Sequence, residues 1–179
     1  MQNPMPRVPR QPAPVRAEIE DSLTVELASV VAGARRRALR DGDRQIDTAH
    51  LLHSLLESDA EVRAAVGDAA QVARVLGYLV QRSIGYGLRW QGSVEDSGVL
   101  PVVRAAAVPG WSPSAVAAMT GALARAQMRG DLRARGVDVL SRVVTDPECR
   151  AADVLRRAGV DTAQVGVRIA AASRHVSRG

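Results

Sequence analysis

Two of the three histidines in this 179-residue chain, His50 and His53, stand in the stretch Ile46–Leu56, IDTAHLLHSLL. On a helix their i, i+3 spacing puts both on one face, where two imidazoles can reach one metal ion. A zinc site needs further ligands, and the third histidine, His175, lies in a basic tail. Both are therefore read as core or helix-cap groups, and no metal is expected. Cys149 is the only cysteine. It has no base beside it in sequence and reads as a small packed residue. A lone cysteine excludes an internal disulfide and a multi-cysteine zinc site, and fits a reducing, cytoplasmic compartment. Glu95 and Asp96 fall in a Gly-rich segment and read as solvated acids, not as an acid–base pair. No GxSxG, HExxH or Rossmann pattern occurs. There is no lysine at all, so no Walker A loop can reach a β/γ-phosphate. The expectation is a non-enzymatic protein without a cofactor.

The elements that would carry these residues are helical. Leu23, Leu27, Val30, Val31, Ala34 and Ala38 form one stripe of a long helix, with Thr24 as N-cap and Gly42 as stop. Shorter helices are predicted over Thr48–Glu57, about Ala60–Val66 and about Ala69–Arg82. Residues 83–110 are Gly-rich and act as a connector. A second long helix then starts at Ser112 with Pro113 at its first position and ends at Gly130. Short helices follow at about Gly136–Val144 and Pro147–Arg157, and a last one at about Thr162–Ala172, capped by Asp161. Leu23-Thr24 falls on Trp111-Ser112, and Gly42 on Gly130, at one offset of 88. One helical unit thus occurs twice. The fold class expected is all-α, two pseudo-twofold-related repeats of about four helices each. The boundaries are an arm at 1–21, repeat one at 22–82, repeat two at 111–172 and a basic tail at 173–179.

The net charge of +5 sits outside this body. Arg7, Arg10 and Arg16 precede it, and Arg174 and Arg178 follow it; removing those five from the 24 arginines leaves 19, against 19 Asp plus Glu. Nucleic-acid domains concentrate positive charge on the folded surface, so nucleic acid is not expected as the main partner. Binding of nucleic acid or an acidic partner through the Arg-rich tails is the alternative. The run Arg35-Arg36-Arg37 reads as a solvated helix face. Residues 1–16 are rich in Pro and Arg, with little to bury, and read as a disordered arm without the apolar stretch of a secretory signal. The longest apolar runs are too short to span a membrane. There is no Phe, and Tyr78, Tyr86, Trp90 and Trp111 are the only aromatics. Trp111 reads as a packing staple, and Trp90 in the connector as the aromatic placed for ligand contact.

In order and in duplication these motifs resemble the N-terminal double-repeat domain of the Clp unfoldases, of the ClpA and ClpC type, over about residues 22–172. Each family repeat opens with an apolar or aromatic residue and Thr, often followed by Pro, then a long Ala-rich helix to a Gly. A G-T-E-H-[IL]-L-L-G-L signature, an A-x-x-[VA]-L helix and an L-G-V turn follow. Here the first repeat offers Leu23-Thr24, Gly42 and Asp47-Thr48-Ala49-His50-Leu51-Leu52. The second offers Trp111-Ser112-Pro113, Gly130, Gly136-Val137-Asp138-Val139-Leu140, Ala151-Ala152-Asp153-Val154-Leu155 and Ala158-Gly159-Val160. The chain looks like a free-standing version of that domain, without ATPase modules. The resemblance implies a non-catalytic peptide- or protein-binding module of the Clp protease system: an adaptor, a decoy, or a sink for cyclic-peptide antibiotics. The partners it implies are Clp unfoldase or protease components and peptide or cyclic-peptide ligands. In ClpC-type domains the signature Glu receives the guanidinium of phosphorylated arginine, and the Thr opening the long helix helps hold the phosphate. Thr24 and Ser112 keep the hydroxyl, but Ala49 and Val137 stand where the Glu belongs. Phosphoarginine recognition is therefore expected to be lost or weak, with Asp47 and Asp138 the nearest carboxylates in sequence.

Overall fold

The computed structural model describes residues 16–84, 94–96 and 110–176. Among them the chain is all-helical: α1 (Arg16–Asp21), α2 (Val25–Asp41), α3 (Thr48–Ser58), α4 (Ala60–Val66), α5 (Ala69–Ser83), α6 (Pro113–Met128), α7 (Gly136–Thr145), α8 (Arg150–Arg157) and α9 (Thr162–Val176). None of the described helices is long and apolar enough to cross a membrane.

The predicted stripe of α2 is the face it buries: Leu27, Val30, Val31, Ala34 and Ala38 all lie in the core. Thr24 Oγ1 accepts the Leu27 N–H at 3.3 Å, so the N-cap is where the sequence put it. At the other end Gly42 has φ 75°, a conformation other residues adopt only at a cost, and the Asp43 N–H closes on Ala38 O at 2.9 Å. The second long helix, α6, ends the same way: Gly130 has φ 82° and the Asp131 N–H closes on Ala126 O at 2.9 Å. Helix α2 packs on α3 and α6 on α7. Helix α3 is buried all round from Thr48 to Leu56 and also meets α4, α5, α6, α7 and α8, which makes it the centre of the core.

Two isolated parallel bridges tie the ends of these pairs together: Leu23 with Ala134, and Ile46 with Trp111. Adding 88 to 23 and 46 gives 111 and 134, so each bridge is the other with its halves exchanged. Their hydrogen bonds match as well. Thr24 N donates to Ala134 O at 3.0 Å and Ser112 N to Ile46 O at 2.8 Å; Ala134 N donates to Ser22 O at 3.0 Å and Ile46 N to Gly110 O at 2.8 Å. Trp111 is 3 % exposed, as a packing staple should be.

Several boundaries differ from the sequence reading. Residues 16–21, assigned to the arm, form α1, because Ile19 finds the core and Glu20 links Arg16 to Arg35 of α2. Arg37 pairs with Glu57, so the arginine run is partly engaged rather than a purely solvated face. Helix α8 begins at Arg150, three residues later than expected, where Cys149 and a distant carboxylate accept its first N–H groups. Helix α9 continues into the predicted tail, to Val176. Residues 1–15, most of the 83–110 connector and residues 177–179 lie outside the described residues.

Close approach of the α3–α4 corner to α7 requires Gly136. A Cβ there would lie 2.2 Å from Asp59 Oδ2 and 2.9 Å from Leu55 Cδ2. Leu55 is fully buried, and Asp59 is held by the N–H groups of Glu61 and Val62 at the start of α4. By contrast, a Cβ on Gly121 of α6 meets only the side chain of exposed Arg142. G136A should therefore lose roughly 1–3 kcal/mol by overpacking. G121A should lose little or gain up to about 1 kcal/mol from helix propensity. Urea midpoints of the two variants check this contrast.

Candidate functional site

Asp47 is the N-cap of α3, and its Oδ1 accepts the His50 N–H at 2.8 Å. In return the Asp47 N–H donates to His50 Nδ1 at 3.1 Å. This is a capping box in which an imidazole takes the place usually held by Glu or Gln. Only 2 % of Asp47 is exposed, yet its Oδ2 accepts from Arg150 Nη1 at 2.9 Å and from Arg82. Burial alone would raise its pKa, but the His50 hydrogen bond and the Arg82 charge outweigh that and hold it well below the usual carboxylate range. His50 is thus the cap histidine that its position suggested. His53 has a different environment: its Nε2 lies 3.4 Å from Glu57 Oε1.

One residue further on, three helix N-termini converge. Thr48 N donates to Glu95 Oε2 at 2.9 Å and Thr48 Oγ1 to Glu95 Oε1. Ser112 Oγ, at the N-cap of α6, donates to Glu95 Oε2 at 2.8 Å. Arg150 N, the first of α8, donates to Glu95 Oε1 at 2.7 Å. Thr48 Oγ1 also accepts the Ala151 N–H at 3.0 Å, and Ser112 Oγ accepts that of Ala115 at 3.1 Å. A carboxylate placed where three helix dipoles point their positive ends is strongly favoured. The solvated reading of Glu95 is therefore wrong: it is 4 % exposed, because four donors facing a dry junction need an acceptor. No pattern in the connector sequence announces this role.

The residues named from the sequence separate into distinct environments. Thr24 and Ser112 are both N-caps, but only Ser112 meets the Glu95 carboxylate. Ala49 is 0 % exposed, packed in the core beside Thr48. Val137 is 4 % exposed and forms part of the floor of a groove of about 170 Å3 between α4, α7 and α9. That groove is lined by Ala64, Ala65, Ile169 and Ala172, with Glu61 and Arg168 as its charged groups. Arg168 is fixed there by donating to the Ala65 and Val66 carbonyls, each at 3.0 Å. Trp90, the aromatic singled out for ligand contact, lies outside the described residues. Asp138 does not face the groove: it is 0 % exposed and clamped by Arg129, with Arg125 Nε 3.2 Å away.

Cys149 is equally committed. Burial pushes its thiol up to about 12, and it donates to Val143 O while its sulfur caps Ala152 N. A thiol held protonated at neutral pH is no nucleophile.

Two outcomes follow. E95A removes a charged acceptor from four donors and should lose about 3 kcal/mol or more; E95Q should lose nearly as much, because its amide presents N–H groups to those donors. Chemical denaturation with a far-UV signal measures both. Separately, burial and the Arg37 charge lower the His53 pKa from 6.5 to about 4. The unfolded chain thus takes up a proton in that window that the folded chain resists. The stability this contributes is complete above pH 6.5 and is lost as the pH falls to about 4, by up to roughly 3 kcal/mol. Urea midpoints across that range should decline in the wild type and flatten in H53Q.

No family model matches this sequence, and no curated protein matches it either.

Proposed function

We propose that this protein is a non-catalytic peptide- or protein-binding module, built as a double repeat of the kind found at the N-terminus of Clp unfoldases and acting in that protease system. Depending on its ligand, it acts as an adaptor, a decoy or a sink for cyclic peptides. The observation that carries the reading is the pair of exchanged bridges at an offset of 88, Leu23–Ala134 and Ile46–Trp111. A duplicated unit folded about a twofold axis produces that numerical relation, and the caps at Thr24 and Ser112 and the turns at Gly42 and Gly130 obey it too.

The phosphoarginine site of the ClpC-type domains has no counterpart here. In the first half the signature position beside Thr24 is Ala49, buried in the core, and Ser112, which opens the second long helix, already donates to the buried Glu95 carboxylate, which would repel a phosphate there. In the second half the signature position is Val137, on the floor of an apolar groove. A hydrophobic peptide side chain suits that groove, with Glu61 and Arg168 available to the peptide backbone or its termini. The tail-mediated nucleic-acid reading gains little from the body, where many arginines are taken up in pairs such as Arg37–Glu57, Arg129–Asp138, Arg150–Asp47 and Arg157–Asp153.

Fluorescence anisotropy with the full chain tests this, using labelled apolar peptides, cyclic-peptide ligands of Clp N-domains, and matched arginine and phosphoarginine peptides. An apolar or cyclic peptide should bind, phosphoarginine should give no advantage over arginine, and A64R, which fills the groove from an exposed position, should abolish binding. Absence of any peptide binding would sink the proposal. Salt-sensitive binding to a DNA oligonucleotide alone would replace it with the tail reading.

A further inference from the structure

The turn that ends α2 brings two carboxylates against the ring of His50. Asp43 Oδ2 lies 3.1 Å and Asp41 Oδ2 3.7 Å from His50 Nε2, and these donor atoms all lie within 4.8 Å of one another. Two ligands on one tetrahedral zinc, bound at 2.0–2.2 Å, stand about 3.4 Å apart, a value the two distances bracket. His50 is 2 % exposed, and its Nε2 is buried with no hydrogen-bond partner, because Asp43 lies close but off the direction a hydrogen bond needs. A buried imidazole nitrogen facing two carboxylates without a bond to either needs an explanation beyond capping.

We propose that Asp41, Asp43 and His50 form a binding site for a divalent transition-metal ion, with zinc the best fit. One imidazole and two carboxylates favour zinc, cobalt or manganese over calcium, which prefers oxygen throughout. The outer shell fits as well. His50 Nδ1 accepts the Asp47 N–H and lies 2.9 Å from Asp47 Oδ1, so a metal on Nε2 would move the ring proton to Nδ1, where that carboxylate would accept it in exchange for the N–H. Ser83 Oγ donates to Asp41 Oδ2 at 3.0 Å and orients it. Asp43 is 31 % exposed and gives the ion a route from solvent, with water completing its coordination. Two cations stand nearby: Arg40 Nε is 3.6 Å from Asp41 Oδ1, and Arg82 Nη2 is 3.5 Å from Asp43 Oδ2 while bound more closely to Asp47. Neither reaches the face between the three donor atoms as a hydrogen-bonded partner of His50.

The corresponding place in the other half shows the alternative solution. At the offset of 88, Asp41, Asp43 and His50 fall on Arg129, Asp131 and Asp138. There Arg129 donates to Asp131 and to Asp138, and the positive charge is covalent. In the first half the arginine position carries an aspartate and the aspartate position a histidine. The exchange removes the built-in cation and supplies metal-ligand atoms in its place.

The test is calorimetric titration of the chelator-treated full chain with zinc, and with cobalt as a spectroscopic probe. The expected result is saturable 1:1 uptake, cobalt bands that report a nitrogen ligand, and a rise in Tm. D41N and D43N keep shape and should each weaken binding by at least ~10-fold with far-UV spectra unchanged. H50Q should abolish it, but because His50 also caps α3, D43N decides if H50Q fails to fold. No saturable uptake below millimolar metal, or uptake unaffected by D41N and D43N, would overturn the proposal.

Discussion

The junction between the halves depends on satisfying N–H groups at helix starts that no backbone carbonyl can reach. Helices α3, α6 and α8 all begin there, away from water, and each leaves its first N–H groups without a partner inside its own helix. One carboxylate from the connector, Glu95, answers Thr48, Ser112 and Arg150 together, and Asp47 answers His50, Arg82 and Arg150 beside it. Leaving such donors empty costs more than the bonds contribute. The connector is therefore part of the core at this point, whatever its composition suggests.

This arrangement also shapes what the protein can bind. A helix N-terminus that holds an internal carboxylate is closed to an external anion, so the anion-binding potential of the α3, α6 and α8 starts is spent on assembly. Val137, 88 positions after Ala49, instead lines a largely apolar groove that carries Glu61 and Arg168. Positions 88 apart also differ in chemistry: His50 against Asp138, Asp41 against Arg129, Ala49 against Val137.

Much of the fold was legible in the sequence for local reasons. Thr24, Ser112, Gly42 and Gly130 are short-range signals, each deciding its own turn, and the α2 stripe reports burial through period alone. Asp47 and Thr48 were readable as a cap for the same reason. Glu95 was not, because its partners lie 17, 47 and 55 positions away, and a lone acid among glycines has no periodicity to mark it. The Asp41–Asp43–His50 group is hidden differently: in sequence His50 stands beside His53, and only the Gly42 turn folds the two carboxylates back onto its ring. Helix α1 was missed because a single apolar residue, Ile19, carries its packing.

The most direct test of the junction is residue-resolved amide hydrogen exchange on the full chain. The account predicts that the Thr48, Arg150 and Ala151 amides exchange only through global unfolding, and that in E95A they open far faster than the interior of α3. Exchange of those three amides in the wild type at the rate of exposed loop amides would contradict it.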